Sequence, residues 1–143
     1  MDDVEQALRT GHERELMEVW ELLHERRMWE HARACARTRG QEDHERVADQ
    51  ALSEVVPVTA LQGLTANARL VELLVGRRWI VMQQAREDGA TWEEIGAALG
   101  MARQSAWDWY RDRIDAQERL GREYNDAARE RAALEDSGEG DER

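Results

Sequence analysis

The chain has 143 residues, which is enough for one domain with an appendage but not for two full-sized domains. Its single cysteine excludes an internal disulfide framework, and its longest apolar runs fall far short of the roughly 20 residues that a membrane span requires. The net charge of −11 disfavours general affinity for nucleic acid, and the composition as a whole predicts a cytoplasmic protein that contacts no membrane.

Helix signals dominate the first part of the chain. Apolar residues recur at helical spacing at Leu16, Val19, Trp20 and Leu23, behind a capping-box pattern at residues 10–13. This pattern predicts an amphipathic helix whose apolar stripe is covered by another part of the protein.

Two more helices are predicted before Gly89. Residues 43–56 have one apolar stripe, and Pro57 ends that helix because proline disfavours helical geometry in the residue before it. A capping box at Thr59 then begins a long third helix. The centre of this helix, residues 70–82, is apolar nearly all round, which is typical of a helix packed on several sides.

The segment 92–111 fits the pattern of a helix-turn-helix. A capping box at Thr91 begins a short helix, Gly96 is a small residue where two helices approach, and Gly100 tolerates the left-handed geometry of the turn. Apolar residues occupy the five positions expected to face the core: Ile95, Leu99, Met101, Ala106 and Trp109. Together these positions predict a two-helix corner.

The stretch AREDGATWEEIGAALGMARQSAWDWY resembles the helix-turn-helix of small DNA-binding regulators of high-GC bacteria, and similar motifs occur in sigma factors and resolvase-like proteins. The resemblance covers about residues 77–113, roughly a quarter of the chain, and does not reach residues 1–60. It implies sequence-specific binding of double-stranded DNA by a transcriptional regulator or a mobile-element accessory protein.

Carried over position by position, the resemblance places the DNA contacts on the second helix of the motif. Arg103 would pair with guanine and Gln104 with adenine, each contributing about 1–3 kcal/mol of discrimination. The other residues assigned to this interface are Ser105, expected to meet a phosphate, together with Trp107, Asp108 and Arg111.

Several of these assignments leave alternatives open. Asp108 would be repelled by phosphate unless it accepts a hydrogen bond from cytosine or pairs with a nearby arginine. Trp107 either contacts DNA or packs against the N-terminal helices. Four more arginines are expected to meet the DNA backbone: Arg77, Arg78, Arg86 and Arg113.

The distribution of charge is compatible with a DNA-binding middle region. Residues 1–60 have 8 arginines and 14 acids, and residues 121–143 have 4 arginines and 8 acids. Residues 61–120 are nearly neutral, with 8 arginines and 9 acids, so one basic face there can bind phosphate. The alternative function is a sigma-like or anti-sigma-like adaptor that binds proteins with no direct DNA readout.

The competing class of function is a metal-binding protein or an enzyme. His24, His31 and Cys35 fall on one face of the first predicted helix, but a closed zinc site needs further ligands. No glycine-rich phosphate loop and no Ser/His/Asp arrangement is visible in the sequence. We therefore expect no metal, no cofactor and no enzymatic activity.

The predicted architecture is all-α. An acidic helical N-terminal region covers 1–57, a helix-turn-helix domain covers 58–120, and 121–143 form a helical extension with a disordered acidic tail from Glu135. We expect a homodimer assembled through the N-terminal helices, which are also the candidate surface for a protein partner. The alternative is that the stripe containing Leu16 packs onto the third helix within one subunit.

Overall fold

A computed structural model of the chain describes residues 3–121 and 126–135. These residues form seven α-helices and no strand, which confirms the all-α prediction for this part of the chain. The helices are α1 (Val4–Thr10), α2 (Glu13–Thr38), α3 (Glu42–Glu54), α4 (Ala60–Glu87), α5 (Trp92–Leu99), α6 (Arg103–Leu120) and α7 (Ala127–Ala132). Among the described residues, none of these helices combines the length and the apolar character needed to cross a membrane.

The chain divides into two compact units, Met1–Leu74 and Val75–Arg143. The boundary therefore lies inside α4 and differs from the division predicted between residues 57 and 58. Ala66 in the first half of α4 belongs to one buried cluster, and Met82 in the second half belongs to another. A single helix thus supplies core side chains to both units. The apolar residues Val71, Leu74, Ile80 and Val81 are nevertheless 49–69% exposed, so the packing on several sides predicted for residues 70–82 is not found in the described part of the chain.

The core of the first unit contains the stripe that the sequence predicts on α2. Leu16 and Val19 are completely buried, in one cluster with Ala66 and Leu70 of α4. The stripe is therefore occupied inside the unit, while assembly of a homodimer through the N-terminal helices stays a prediction. Burial against α4 removes this apolar surface from water, as the alternative interpretation expected.

The short helix α1 was missed in the sequence. The Asp3 side chain accepts a hydrogen bond of 3.0 Å from the backbone N–H of Gln6, and this cap starts the helix. The Arg69 guanidinium of α4 donates to three carbonyl oxygens at the end of α1, those of Ala7, Leu8 and Gly11. Positive charge is favourable there because the C-terminal end of a helix carries a negative partial charge and most of its last carbonyls lack an N–H donor within the helix.

The second unit contains the two-helix corner of α5 and α6 together with α7. Its core cluster takes side chains from α4, α5, α6 and the residue that follows α7: Met82, Trp92, Ile95, Ala106, Tyr110, Ile114 and Ala133. Ala133 follows α7, so the segment assigned to a C-terminal extension completes the core of this unit. Of the predicted disordered tail only Glu135 is described, and residues 136–143 lie outside the described residues.

One buried carboxyl group lies in α7. Glu130 is 2% exposed, and its Oε2 atom has no hydrogen-bond partner among the described residues. Burial raises the pKa of this carboxyl group above its ordinary value of 4.5, and the negative charges of Glu118 and Asp126 act in the same direction. The folded state therefore binds this proton more tightly than the unfolded chain does, and stability falls as pH rises from about 4.5 through the folded-state pKa.

Glu130→Gln is therefore expected to stabilise the protein at pH 7 by about 1 kcal/mol, because a neutral amide replaces a buried carboxylate. At pH 4 the difference should nearly vanish, since Glu130 is protonated there in both the folded and the unfolded state. Urea unfolding at pH 7 and at pH 4 measures the difference in the free energy of unfolding between Glu130→Gln and the parent. The exposed substitution Glu93→Gln is the control and should change little at either pH. An equal effect of Glu130→Gln at both pH values would contradict the raised pKa.

Candidate nucleic-acid interface

The corner between α5 and α6 is built from local signals in the sequence. The hydroxyl oxygen of Thr91 accepts a hydrogen bond of 3.1 Å from the N–H of Glu94, and the Glu94 carboxylate accepts one of 2.8 Å from the N–H of Thr91. Gly100 has φ +67° in the left-handed region and ends α5. The predicted capping box and left-handed turn are both present.

Gly96 is required because the backbone of the turn passes directly over it. A Cβ atom added to Gly96 would lie 2.7 Å from the carbonyl oxygen of Met101 and 3.2 Å from the nitrogen of Arg103. The N–H of Met101 also donates a 2.9 Å hydrogen bond to the carbonyl oxygen of Gly96. This close approach places the start of α6 against the middle of α5.

The inner side of the corner is apolar, as predicted, but its centre lies further along α6. Ile95 and Ala106 are buried, while Leu99, Met101 and Trp109 are partly buried at the edge of the core cluster. Two residues absent from the sequence assignment, Tyr110 and Ile114, are completely buried. The signal that would have found them is their spacing of four and eight residues from Ala106, which places all three on one face of a helix.

The outer side of the corner exposes the first turn of α6. Arg103, Gln104 and Ser105 are all exposed, and the amide of Gln104 donates a 3.1 Å hydrogen bond to the Asp108 carboxylate. Ala102 occupies the N-cap position, and its methyl group offers no hydrogen-bond acceptor to this turn. The N-terminus of a helix carries a positive partial charge, so this 18-residue helix favours an anion at the end that presents Arg103.

Asp108 lies beside Arg111, which compensates its charge. The carboxylate oxygen and the guanidinium nitrogen are 3.2 Å apart, so the pairing that the sequence left open is made with Arg111. Arg111 also donates a 3.0 Å hydrogen bond to Asp112, and this bond raises the pKa of its guanidinium. Such exposed ion pairs contribute only about 0–1 kcal/mol, so a phosphate group can compete for Arg111.

Trp107 has a partner that neither sequence interpretation proposed. Its indole N–H donates a 3.1 Å hydrogen bond to the carbonyl oxygen of Leu134, just after α7. The Arg111 guanidinium lies over the face of the ring, 5.0 Å from its centroid. Trp107, Leu134, Arg103 and Gln104 line one open cavity of about 280 Å³. The C-terminal segment therefore borders the surface assigned to DNA.

Arginines expected at the DNA backbone make contacts within the second unit. Arg78 lies over the Trp109 ring at 5.4 Å, and Arg113 donates a 3.1 Å hydrogen bond to the carbonyl oxygen of Gly76. Arg86 donates to three carbonyl oxygens, those of Ala90, Ala133 and Glu135. A planar guanidinium with five N–H donors suits such carbonyl contacts. A role of these arginines at DNA phosphates is therefore not supported.

The competing metal site is incomplete within the described residues. His31 Nε2 and Cys35 Sγ are 3.5 Å apart, but no group of three His, Cys, Asp or Glu side chains in residues 3–121 and 126–135 is arranged to hold a metal ion. His24 Nδ1 lies 2.8 Å from the carbonyl oxygen of Trp20 and belongs to local packing on α2. Two side chains do not make a closed zinc site.

Comparisons with known proteins give no family for this arrangement. No family model matches the chain, and searches of curated proteins and of solved structures return no match.

Proposed function

We propose that this chain binds double-stranded DNA sequence-specifically in the cytoplasm, as a transcriptional regulator or a mobile-element accessory protein. The observation that carries the proposal is the exposed first turn of α6, where Arg103, Gln104 and Ser105 project from a corner held by Gly96 and Gly100. The major groove, about 12 Å wide, admits one α-helix. Arginine and glutamine are the side chains that read guanine and adenine there in a bidentate manner.

The charges of the protein determine how strongly its DNA binding would depend on phosphate contacts and on salt. With a net charge of −11, the chain has little general attraction for phosphate, and few arginines remain near the exposed turn. Arg111 would neutralise about one phosphate and Arg103 would add a cationic base contact, which predicts a shallow salt dependence with a logarithmic slope of about −1 to −2. Specific base contacts must then supply most of the discrimination.

The experiment that tests this proposal is selection from a randomised pool of duplex DNA, followed by binding titrations at 50–200 mM salt. We expect one short motif to be enriched and its Kd to rise with salt along the shallow slope. If no motif is enriched and no duplex is retained even at low salt, DNA binding is excluded. The adaptor function is then the remaining candidate, and the exposed apolar side chains of α4 are the observation that favours it.

We further propose that the DNA-bound form is a homodimer, because one helix-turn-helix reads only a few base pairs. The candidate face consists of four residues on the first half of α4 that are 53–76% exposed: Leu61, Leu64, Val71 and Leu74. Their spacings of three and seven residues place them along one side of the helix, and none carries a charge. We propose this face, in place of the buried stripe of α2, as the site of self-association. Because its four side chains are uncharged, a second copy of the acidic chain would not be repelled at the centre of the face.

The exposed apolar area of this face is of the size that a weak dimer needs. Two copies would bury eight such side chains, which contribute on the order of 10 kcal/mol after weighting by exposure. Association of two proteins costs about 4–15 kcal/mol in lost freedom. The difference is at most about 6 kcal/mol, so we expect self-association at a Kd of tens of micromolar or weaker.

Leu64→Asp should convert the protein to a monomer, because a charge at the centre of the face cannot be buried without a partner. Light scattering at concentrations around and above the expected Kd measures the change. Gln41→Asp, which adds the same charge to an exposed residue at the N-cap of α3, outside the face on α4, is the control and should leave the dimer intact. A parent protein that is monomeric at every concentration tested would rule this interface out.

A further inference from the structure

The exposed amide of Gln104 is held by a carboxylate on its own helix. Its Nε2 atom donates a 3.1 Å hydrogen bond to the Oδ1 atom of Asp108, one turn further along α6. Residues four apart are neighbours on the surface of a helix, so this contact requires no distortion of the backbone. Because a carboxylate only accepts hydrogen bonds, the nitrogen of the amide must face Asp108, and the amide oxygen points away from it.

The carboxylate of Asp108 has a second partner. A guanidinium nitrogen of Arg111 lies 3.2 Å from the same Oδ1 atom. The Arg111 guanidinium lies over the face of the Trp107 ring, and the indole N–H of that ring is bound to the carbonyl oxygen of Leu134. These contacts restrict the position of the carboxylate, and the positive charge of Arg111 reduces the repulsion between Asp108 and DNA phosphates.

The hydrogen bond to Asp108 decides which groups the Gln104 amide can offer to a base. A glutamine amide has two N–H donors and one acceptor oxygen. With one N–H donated to Asp108, one donor and the acceptor remain. In the major groove adenine presents the matching pair, the acceptor N7 and the amino group on C6, whereas guanine presents two acceptors, N7 and O6. The oriented amide therefore suits adenine and lacks the second donor that guanine would require.

We propose that Asp108 is a positioning residue, which orients the amide of Gln104 so that it reads adenine and rejects guanine. The inference rests on the proposed DNA-binding function and deepens it, because it assigns the selectivity of the exposed turn to one further residue. In this role Asp108 contacts no base itself.

The effect of Asp108 depends on whether water surrounds the contact. In the free protein, a contact between exposed residues four apart changes the population of the oriented amide by only about twofold. In the groove of DNA the contact is stronger, because hydrogen bonds to charged groups gain strength where water is excluded. We therefore expect the main effect of Asp108 on base selectivity and a small effect on the free protein.

The test uses the full chain and the duplex found by selection. The base read by Gln104 is identified as the position whose preference Gln104→Ala relaxes. The measured quantity is the Kd with guanine at this position divided by the Kd with adenine. Asp108→Ala should lower this ratio about fivefold, because the amide regains the second donor that guanine requires. The preferences at the other positions should be unchanged.

Asp112→Ala is the matched control for the loss of charge. Asp112 is an exposed acid on the same helix, and it also binds Arg111. It lies eight residues from Gln104, about 12 Å along the helix axis, which is too far for a contact. Both substitutions remove one negative charge beside Arg111, so both should tighten binding to every duplex to a similar degree. Only Asp108→Ala should change the ratio.

The contact between Gln104 and Asp108 can also be measured without DNA, by NMR of side-chain amides in the free protein. The two N–H proton signals of Gln104 are identified by their absence in Gln104→Ala. One of them should lie downfield in the parent and move upfield in Asp108→Ala, because the hydrogen bond to the carboxylate is lost. Asp112→Ala should leave both signals in place.

The outcomes separate the two proposals. If the parent binds the duplex and the ratio is the same in Asp108→Ala and Asp112→Ala, the positioning role is overturned and the DNA-binding function stands. The same conclusion follows if the parent prefers a base other than adenine at the Gln104 position, or if the Gln104 signals do not move in Asp108→Ala. If Asp108→Ala relaxes a second position in the Gln104→Ala background, Asp108 reads a base directly, which also overturns the inference. If no duplex is bound even at low salt, both proposals are overturned.

Discussion

Gly96→Val is expected to destabilise the second unit by about 3 kcal/mol, because its Cβ atom would lie 2.7 Å from the carbonyl oxygen of Met101. The neighbouring atom belongs to the backbone, so no side-chain rotation relieves the contact. The start of α6 must move, and the 2.9 Å hydrogen bond from Met101 to Gly96 is lost with it. For a unit of this size the melting temperature should fall by about 10 °C or more.

Ala98→Val is the matched control for this prediction, since Ala98 is exposed on the same helix and the change adds the same β-branched side chain. It should cost less than about 1 kcal/mol, the helix-propensity difference. Gly100→Val separates strain from crowding, because no atom lies within 4 Å of a Cβ there and only the φ of +67° is unfavourable. A melting temperature of Gly96→Val equal to that of Ala98→Val would contradict the close approach of the two helices.

Arg103→Ala and Gln104→Ala should each reduce affinity for the selected duplex by about 1–3 kcal/mol, which corresponds to about fivefold to 150-fold in Kd. Each change should also relax the preference at one base position. The fold should be unaffected, because both side chains are exposed on the first turn of α6. Competition titrations with single-base variants of the duplex measure the affinity and the specificity together.

Arg119→Ala provides the control, since it removes the same charge from an exposed position in the last turn of α6. It should weaken binding slightly and equally for every sequence, as the loss of a distant charge does. If Arg103→Ala and Arg119→Ala behave alike, the first turn of α6 does not read bases. The assignment of α6 to the major groove would then be wrong even if the protein binds DNA.

The local features of the fold could be predicted because their causes lie within a few residues. Capping boxes at Thr59 and Thr91 both form, with the side chain and the backbone exchanging hydrogen bonds over three residues. Gly100 ends α5 in the left-handed region for the same local reason. The capping pattern at residues 10–13 does not form, because Thr10 ends α1 and the N–H of His12 instead donates to Glu15.

The roles of individual side chains were less predictable, because their partners are distant in the sequence. Arg86 binds a carbonyl oxygen 47 residues away, and Trp107 binds one 27 residues away. Nothing in the neighbourhood of either residue indicates these partners. The sequence therefore suggested a DNA contact for Arg86, and either a DNA contact or packing against the N-terminal helices for Trp107, and it indicated neither of the carbonyl partners found within the unit.

The sequence by itself determined the positions of the long helices, the two-helix corner and the exposed turn that begins at Arg103. These depend on helical periodicity, caps and glycine geometry, which act over one or two turns. Only the tertiary structure decided that the stripe of Leu16 is core, that α4 serves both units and that the segment ending at Glu135 borders α6. The reason is that the sequence around an apolar or charged residue is the same whether its side chain contacts its own chain, a second copy or DNA. Which partner it meets depends on the packing of helices that are far apart in the sequence.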